Sequence, residues 1–493
     1  MAQFFFLLRP FFEHNRVNFQ RNRIIVTMTM WTPLLAPDRP RYRALCEAIG
    51  KAIASGELRE NDKLPPQRQL ADRLGVTVGT VTRGYAEAER RGLVEARVGS
   101  GTYVSSSSIS SRQQLLVPNA FEYPPSTIDL SHAHAPPHPE RAAGLARAME
   151  RIRARAEMLE ASISYQREQG LLEHRQCIAG FMGEIGLPVD AEELLLTQGG
   201  QHGIFVALAA MLRAGERAAS CELTYPGFQG AARQLGVKAL GVGEDAQGID
   251  VAALERLHAQ QPLKLIYVMP DQHNPTGRWM SEARRCHLVE AARRHDWWLL
   301  EDGVLYLPQA LRGSPLYRLA PERTLYLFSF SKIFGGGLRQ GVMRMPDQAA
   351  TRLRGALRAQ SWMTPPLMSA LVCAWIESGD AARMLEWQNA ELEARYDLAV
   401  ERLAGYSPRG QRGSTFLWLT LPLDQRAGPL LERLAAERIL FTPSEPFCIG
   451  HSPAPQAVRL CLGAARDRET LAHALDRLVA QLETPQELPL EPL

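Results

Sequence analysis

Between residues 105 and 114 the chain reads SSSSISSRQQ, ten positions without hydrophobic periodicity. Such a stretch cannot bury enough apolar surface to offset the entropy of ordering it, so it serves as a linker. The 493 residues therefore cannot share one continuous core. They divide into an extension (residues 1–38), a first module (39–104), the linker (105–127), a large domain (128–482) and a short tail (483–493). Met28 and Met30 would each serve as a start just ahead of the first organised segment.

Charge follows the same division. Residues 1–104 hold 16 basic and 10 acidic side chains, whereas the rest of the chain holds 40 and 43. A basic amino-terminal unit attached to a near-neutral body points to a polyanionic partner for the former. Apolar residues at 45% and charged residues at 22% match a soluble globular protein and argue against wholesale disorder. The apolar start MAQFFFLLRPFF is broken by Arg9 and lacks both a positive leading region and a small-residue cleavage site, which argues against a signal peptide. No other run reaches membrane-spanning length. Seven cysteines, odd in number and never in a C-x-x-C pair, disfavour a disulfide framework or zinc site. The expectation is a reducing, cytoplasmic setting with no metal and no membrane association.

Within the first module, Leu45, Ile49 and Ile53 recur at helical spacing, and Gly56 stands where a helix would end. Pro65 and Pro66 open a second helix from Gln67 to Leu74, closed by Gly75. Thr77 can cap a third, which carries Val81, Tyr85 and Ala88. Two segments flanking Gly99-Ser100-Gly101 read as a two-stranded wing. The string KLPPQRQLADRLGVTVGTVTRGYAEAERRGLVEARVGSGTYV resembles the winged helix-turn-helix of GntR-type bacterial regulators along its whole length. The resemblance implies that Thr77, Thr80 and Arg83 face the major groove of double-stranded DNA. It places Arg68 and the wing glycines Gly99 and Gly101 near phosphates. Val78 and Thr82 stand where that family often carries arginine.

Beyond the linker, short aliphatic runs alternate with long amphipathic ones: LLLT at 194, KLIYVM at 264, WWLLED at 297 and TLYLFSF at 324. This predicts an α/β domain with a mostly parallel sheet, followed after Gly413 by a smaller α+β subdomain. Only five lysines occur in the chain, and one of them, Lys332, ends a strand-forming run inside SFSKIFGGGLRQG. A lysine amine can form a Schiff base with an aldehyde cofactor, and Arg339 nearby can hold a phosphate. Upstream, HNPTGR places Asn274 after one strand and LLEDG places Asp302 at the end of another, where open α/β sheets bind ligands.

With these motifs, the large domain resembles a fold type I aminotransferase dependent on pyridoxal 5′-phosphate (PLP). The whole chain is similar to the MocR/GabR class of regulators. That resemblance implies Lys332 for the covalent link to PLP, Asp302 for the pyridine nitrogen and Asn274 for the phenolic oxygen. It implies Gly199, Gly200, Gln201, Ser329, Ser331 and Arg339 for the phosphate, with Tyr225 stacked on the ring. Tyr165 would reach the phosphate of a neighbouring subunit in a homodimer, and Arg459 would grip the carboxylate of a small amino compound. Taken singly, Tyr225 also reads as core packing, Asn274 as a turn-maker before proline, and Arg459 as a salt-bridge partner. Leu305 stands where such enzymes often carry a tyrosine, and Tyr306 follows on the opposite face of an unbroken strand. Two functions are consistent with this set. One is a PLP-dependent regulator that senses an amino compound; the other is a working aminotransferase whose DNA module is secondary.

Overall fold

The computed structural model describes residues 31–35, 40–55, 57–59, 62–91, 93–97, 101–104, 124, 126–450 and 454–484. Three helices, α1 (Arg41–Ser55), α2 (Gln67–Leu74) and α3 (Val78–Arg90), precede the paired strands β1 (Val94–Arg97) and β2 (Gly101–Val104). Leu45, Ile49, Leu70, Val81 and Tyr85 form a common core, which Trp31 joins from ahead of α1. Gly75 closes α2 at φ 62°, and its N–H meets the Ala71 and Asp72 carbonyls. The Thr77 hydroxyl then accepts from the Thr80 N–H at 3.2 Å and starts α3. Between α1 and α3 there is no room to spare. A Cβ on Gly84 would lie 2.7 Å from Leu45 Cδ2. Gly84→Ala is accordingly expected to destabilise this module by about 1–3 kcal/mol, read from a thermal melt.

The large domain centres on a seven-stranded sheet built from β4 (Leu194–Thr197), β5 (Arg217–Cys221), β6 (Lys238–Val242), β9 (Leu265–Val268), β10 (Trp298–Asp302), β11 (Thr324–Ser329) and β12 (Gly341–Arg344). Between β6 and β9 lies a small hairpin, β7 (Glu244–Asp245) and β8 (Gly248–Ile249). The order across the sheet is β4-β12-β11-β10-β9-β5-β6, and β12 alone runs antiparallel to the rest. Both faces are covered, so the strands are continuously apolar rather than alternating. Leu325 and Leu327 face one core, while Tyr326 and Phe328 face another.

The long helix Asp380–Arg402 leads to the carboxyl-terminal subdomain, whose antiparallel sheet comprises β13 (Phe416–Thr420), β15 (Thr442–Pro443) and β16 (Ala457–Cys461). The start of the large domain is woven into it: β3 (Ile128–Asp129) pairs with β14 (Ile439–Leu440) in parallel. This pairing delivers residues 131–133 to the mouth of the main sheet, where the candidate site lies.

Candidate functional site

The site gathers at the carboxyl ends of the parallel strands. Asp302 ends β10, and its carboxylate is held from both sides. The Tyr267 hydroxyl donates to Oδ2 at 2.6 Å and the Val304 N–H to Oδ1 at 3.0 Å. Burial pushes the Asp302 pKa up, against the pull of these two donors and of Lys332. Lys332 follows β11 in a single turn of 3-10 helix, where its ammonium donates to the Ala133 carbonyl. Gln388 fixes the Lys332 carbonyl at 2.9 Å. Burial, reinforced by the Arg459 and Arg339 charges, pushes the Lys332 amine down to about 8. Thus at pH 7 about one amine in ten is an unprotonated nucleophile, against about one in 3000 for an ordinary lysine.

Beside the lysine lies an anion cradle. Gly199, at φ 80°, opens the helix Gly200–Met211 with no side chain capping its first N–H groups. Arg339 lies directly over that opening. Its Nη2 donates to the Gln198 carbonyl at 3.2 Å and would sit 2.8 Å from any Cβ on Gly199. Ser329 and Ser331 pair their hydroxyls at 3.0 Å, and the Ser329 oxygen also accepts the Ser331 N–H. Gln201 reaches across to the Gly227 carbonyl at 2.9 Å. Free helix amides and a guanidinium together suit a phosphate.

At the other end, Arg459 is 5% exposed and lies over the Phe447 ring at 4.8 Å. It donates from Nη1 to Asn274 Oδ1 and from Nη2 to the Ser131 carbonyl, each at 2.7 Å. Its Nε, also buried, has no hydrogen-bond partner. A buried N–H left unpaired is unfavourable, and a carboxylate oxygen would satisfy it. Tyr225, half-buried, senses Asp302, Arg339 and Arg459 electrostatically while burial raises its pKa.

Residues from widely separated stretches of the large domain therefore converge. Tyr165 is instead 84% exposed, its ring edge-on to Trp362. Tyr306 is turned toward Phe328, with the Arg312 guanidinium over its ring. Tyr267, absent from the sequence-based set, is the phenol that reaches Asp302; inside a fully buried strand its spacing carries no signal. Ser131 and Ala133 were equally unmarked, because only the β3–β14 pairing brings them in. In the amino-terminal module, Arg68, Thr77, Val78, Thr82, Arg83 and Gly101 are exposed and Thr80 is half-exposed. Gly99 lies outside the described residues. The Thr82 hydroxyl donates to Gln67 Oε1 at 2.6 Å, tying α3 to α2.

Residues 134–478 match the family model for aminotransferase class I and II. The chain belongs to that family. Residues 41–104 match the gntR family of bacterial regulatory proteins, so this aminotransferase-family chain carries a DNA-binding domain at its amino end. It is 28% identical to the HTH-type transcriptional regulator YdeF of Bacillus subtilis, across 90% of this chain and 95% of that protein. It is 27% identical to the HTH-type transcriptional regulator TauR of Rhodobacter capsulatus, across 82% and 88%. Among solved structures it is similar to LysN, an α-aminoadipate aminotransferase of Thermus thermophilus crystallised with N-(5′-phosphopyridoxyl)-L-leucine. That likeness has a TM-score of 0.65 and 26% identity, covering 72% of this chain and 92% of the other. Among the described residues, no helix is long and apolar enough to cross a membrane.

Proposed function

We propose that this chain is a PLP-dependent transcription regulator whose aminotransferase-family domain binds PLP through Lys332 and senses a small amino compound. The observation that carries the reading is the placement of a lysine amine lowered to about 8 between a fixed carboxylate, Asp302, and an anion cradle at Gly199 and Arg339. These residues fit PLP. Lys332 would hold the aldehyde carbon, Asp302 the pyridine nitrogen, and Asn274 the phenolic oxygen. The helix start at Gly199, Gly200 and Gln201, with Ser329, Ser331 and Arg339, would hold the phosphate, and Tyr225 would cover the ring. When bound, PLP supplies an electron sink for amino compounds. The chain's own residues bind and orient: Arg459 offers its unpaired Nε to a carboxylate, and Asn274 holds the guanidinium in place.

A homodimer completes the proposal. Met149, Ile163, Tyr165, Trp362 and Leu367 are large apolar side chains exposed on this domain, which a second copy would cover, placing Tyr165 toward the neighbour's phosphate cradle. Two winged modules would then face a two-fold operator, read by Thr77, Thr80 and Arg83 and positioned on phosphates by Arg68 and the wing. Arg68→Ala is expected to weaken retention of all DNA sequences and to lower the slope of log K against log salt by about 1 in a fluorescence-anisotropy titration. An unchanged slope would remove Arg68 from the phosphate contacts.

Cofactor uptake carries its own test. Nucleophilic attack needs the neutral amine, so the rate at which apo protein takes up PLP is expected to climb about tenfold per pH unit below 8 and level off above it. A rate that keeps climbing toward pH 10 in a stopped-flow absorbance trace would mean an unperturbed lysine.

A further inference from the structure

A second cluster of reactive side chains lies outside the Lys332 site. Cys221 ends β5, Glu244 begins the hairpin after β6, and His273 follows β9. The sheet order β9-β5-β6 makes the three strands neighbours. The ligand atoms of the three side chains all lie within 4.8 Å of one another. Glu244 Oε2 and His273 Nδ1 are 3.4 Å apart. No C-x-x-C spacing announces this set, because its members come from three different crossovers.

Cys221 and His273 are buried, Glu244 is partly buried, and the cluster is incompletely satisfied. Cys221 is 4% and His273 6% exposed. Glu244 Oε2 and His273 Nε2 have no hydrogen-bond partner, while the Thr276 hydroxyl meets His273 Nδ1 at 2.6 Å. Interior polar atoms are ordinarily paired, so bare ones call for a ligand. Next to them is a cavity of about 10 Å³, lined by Val268, Met269, Trp279 and Met280 as well as the three side chains. That is room for a single small ion or water.

We propose that Cys221, Glu244 and His273 bind one divalent transition-metal ion of the zinc type. A thiolate, an imidazole and a carboxylate form a borderline-soft donor set, whereas magnesium and calcium take oxygen ligands. On binding, the Cys221 S–H bond breaks, its proton leaves to solvent, and a sulfur–metal bond forms; no electron is transferred. The thiolate and carboxylate bring two negative charges to the ion, the carboxylate being shared with the Arg278 guanidinium. Arg278 Nε, 3.1 Å from Glu244 Oε1, leaves the other carboxylate oxygen to the metal. Because His273 directly precedes Asn274, the ion would anchor the loop that positions Arg459.

The test uses the full chain, stripped with chelator, dialysed against Zn²⁺ and studied by X-ray absorption at the zinc edge. The proposal predicts about one bound ion with one sulfur near 2.3 Å and nitrogen or oxygen near 2.0–2.1 Å. Cys221→Ser loses the sulfur shell, whereas Cys286→Ser, at an exposed cysteine, retains it. Thr276→Val keeps the sulfur shell but weakens binding by about 10- to 100-fold, a second variant that stands if Cys221→Ser fails to fold. Absence of bound zinc, a shell of nitrogen and oxygen alone as surface histidines would give, or a sulfur shell that survives in Cys221→Ser would each overturn the proposal.

Discussion

Lys332→Ala is expected to abolish the visible absorption of the PLP-loaded protein and, with it, every effect of PLP or amino compounds on DNA retention. The expectation rests on chemistry that the rest of the site cannot replace. The remaining four lysines are Lys51 and Lys63 in the amino-terminal module, and Lys238 and Lys264 near the start of β6 and β9. Those two strand starts lie at the opposite end of the sheet from Asp302. Arginine, the chain's usual cation, stays protonated and cannot serve as a nucleophile. The loss should therefore be complete rather than graded. A persistent visible band in Lys332→Ala would move the covalent link elsewhere and dismantle the proposed site.

Arg459→Ala is expected to raise the concentration of amino compound needed for a half-maximal response by on the order of 100-fold. Truncating one partner of a buried, hydrogen-bonded charge pair costs about 2–5 kcal/mol. Here the loss falls on the incoming carboxylate and also frees Asn274 Oδ1, which Arg459 holds at 2.7 Å. Arg459→Lys should recover little, since a single ammonium cannot reproduce a fork that donates to Asn274 and Ser131 and still offers Nε. The spectral change of the bound cofactor during titration with a panel of amino acids reads this directly. A shift of less than about threefold would mean that the carboxylate is held elsewhere.

Much of this is legible in the amino-acid sequence. Helix signals in the amino-terminal module are local: Thr77 does cap α3 through Thr80, and Gly75 does adopt the left-handed conformation that ends α2. Lys332, Asp302 and Asn274 each follow a strand-forming run, and strand ends collect at one edge of a parallel sheet. What the chain order concealed was long-range pairing. Tyr267 sits mid-strand, where continuous burial erases any period-2 pattern, so its hydroxyl contact with Asp302 could not be read. Ser131 and Ala133 enter only because β3 pairs with β14, more than 300 residues away. The phenol near Asp302 comes from the neighbouring strand β9, and Tyr306 packs beside Phe328.

The exposed face of α3 carries Val78 and Thr82 where the family resemblance implies arginine. Val78 is 42% exposed at its start, and Thr82 is occupied by Gln67. On the proposed reading that α3 enters the major groove, an apolar side chain there suits a thymine methyl group, so base preference is expected to rest on few direct contacts.

The central claim is that one ligand site governs DNA binding, and it is tested most directly by measuring retention of the DNA upstream of the gene at fixed salt. The same titration is run without PLP, with PLP, and with PLP plus each of a panel of amino compounds. The account predicts that at least one compound changes the affinity of the wild-type protein by about 5- to 150-fold, with no change in Lys332→Ala. Identical affinity under all conditions, alongside rapid turnover of amino donors, would contradict it and leave a working aminotransferase.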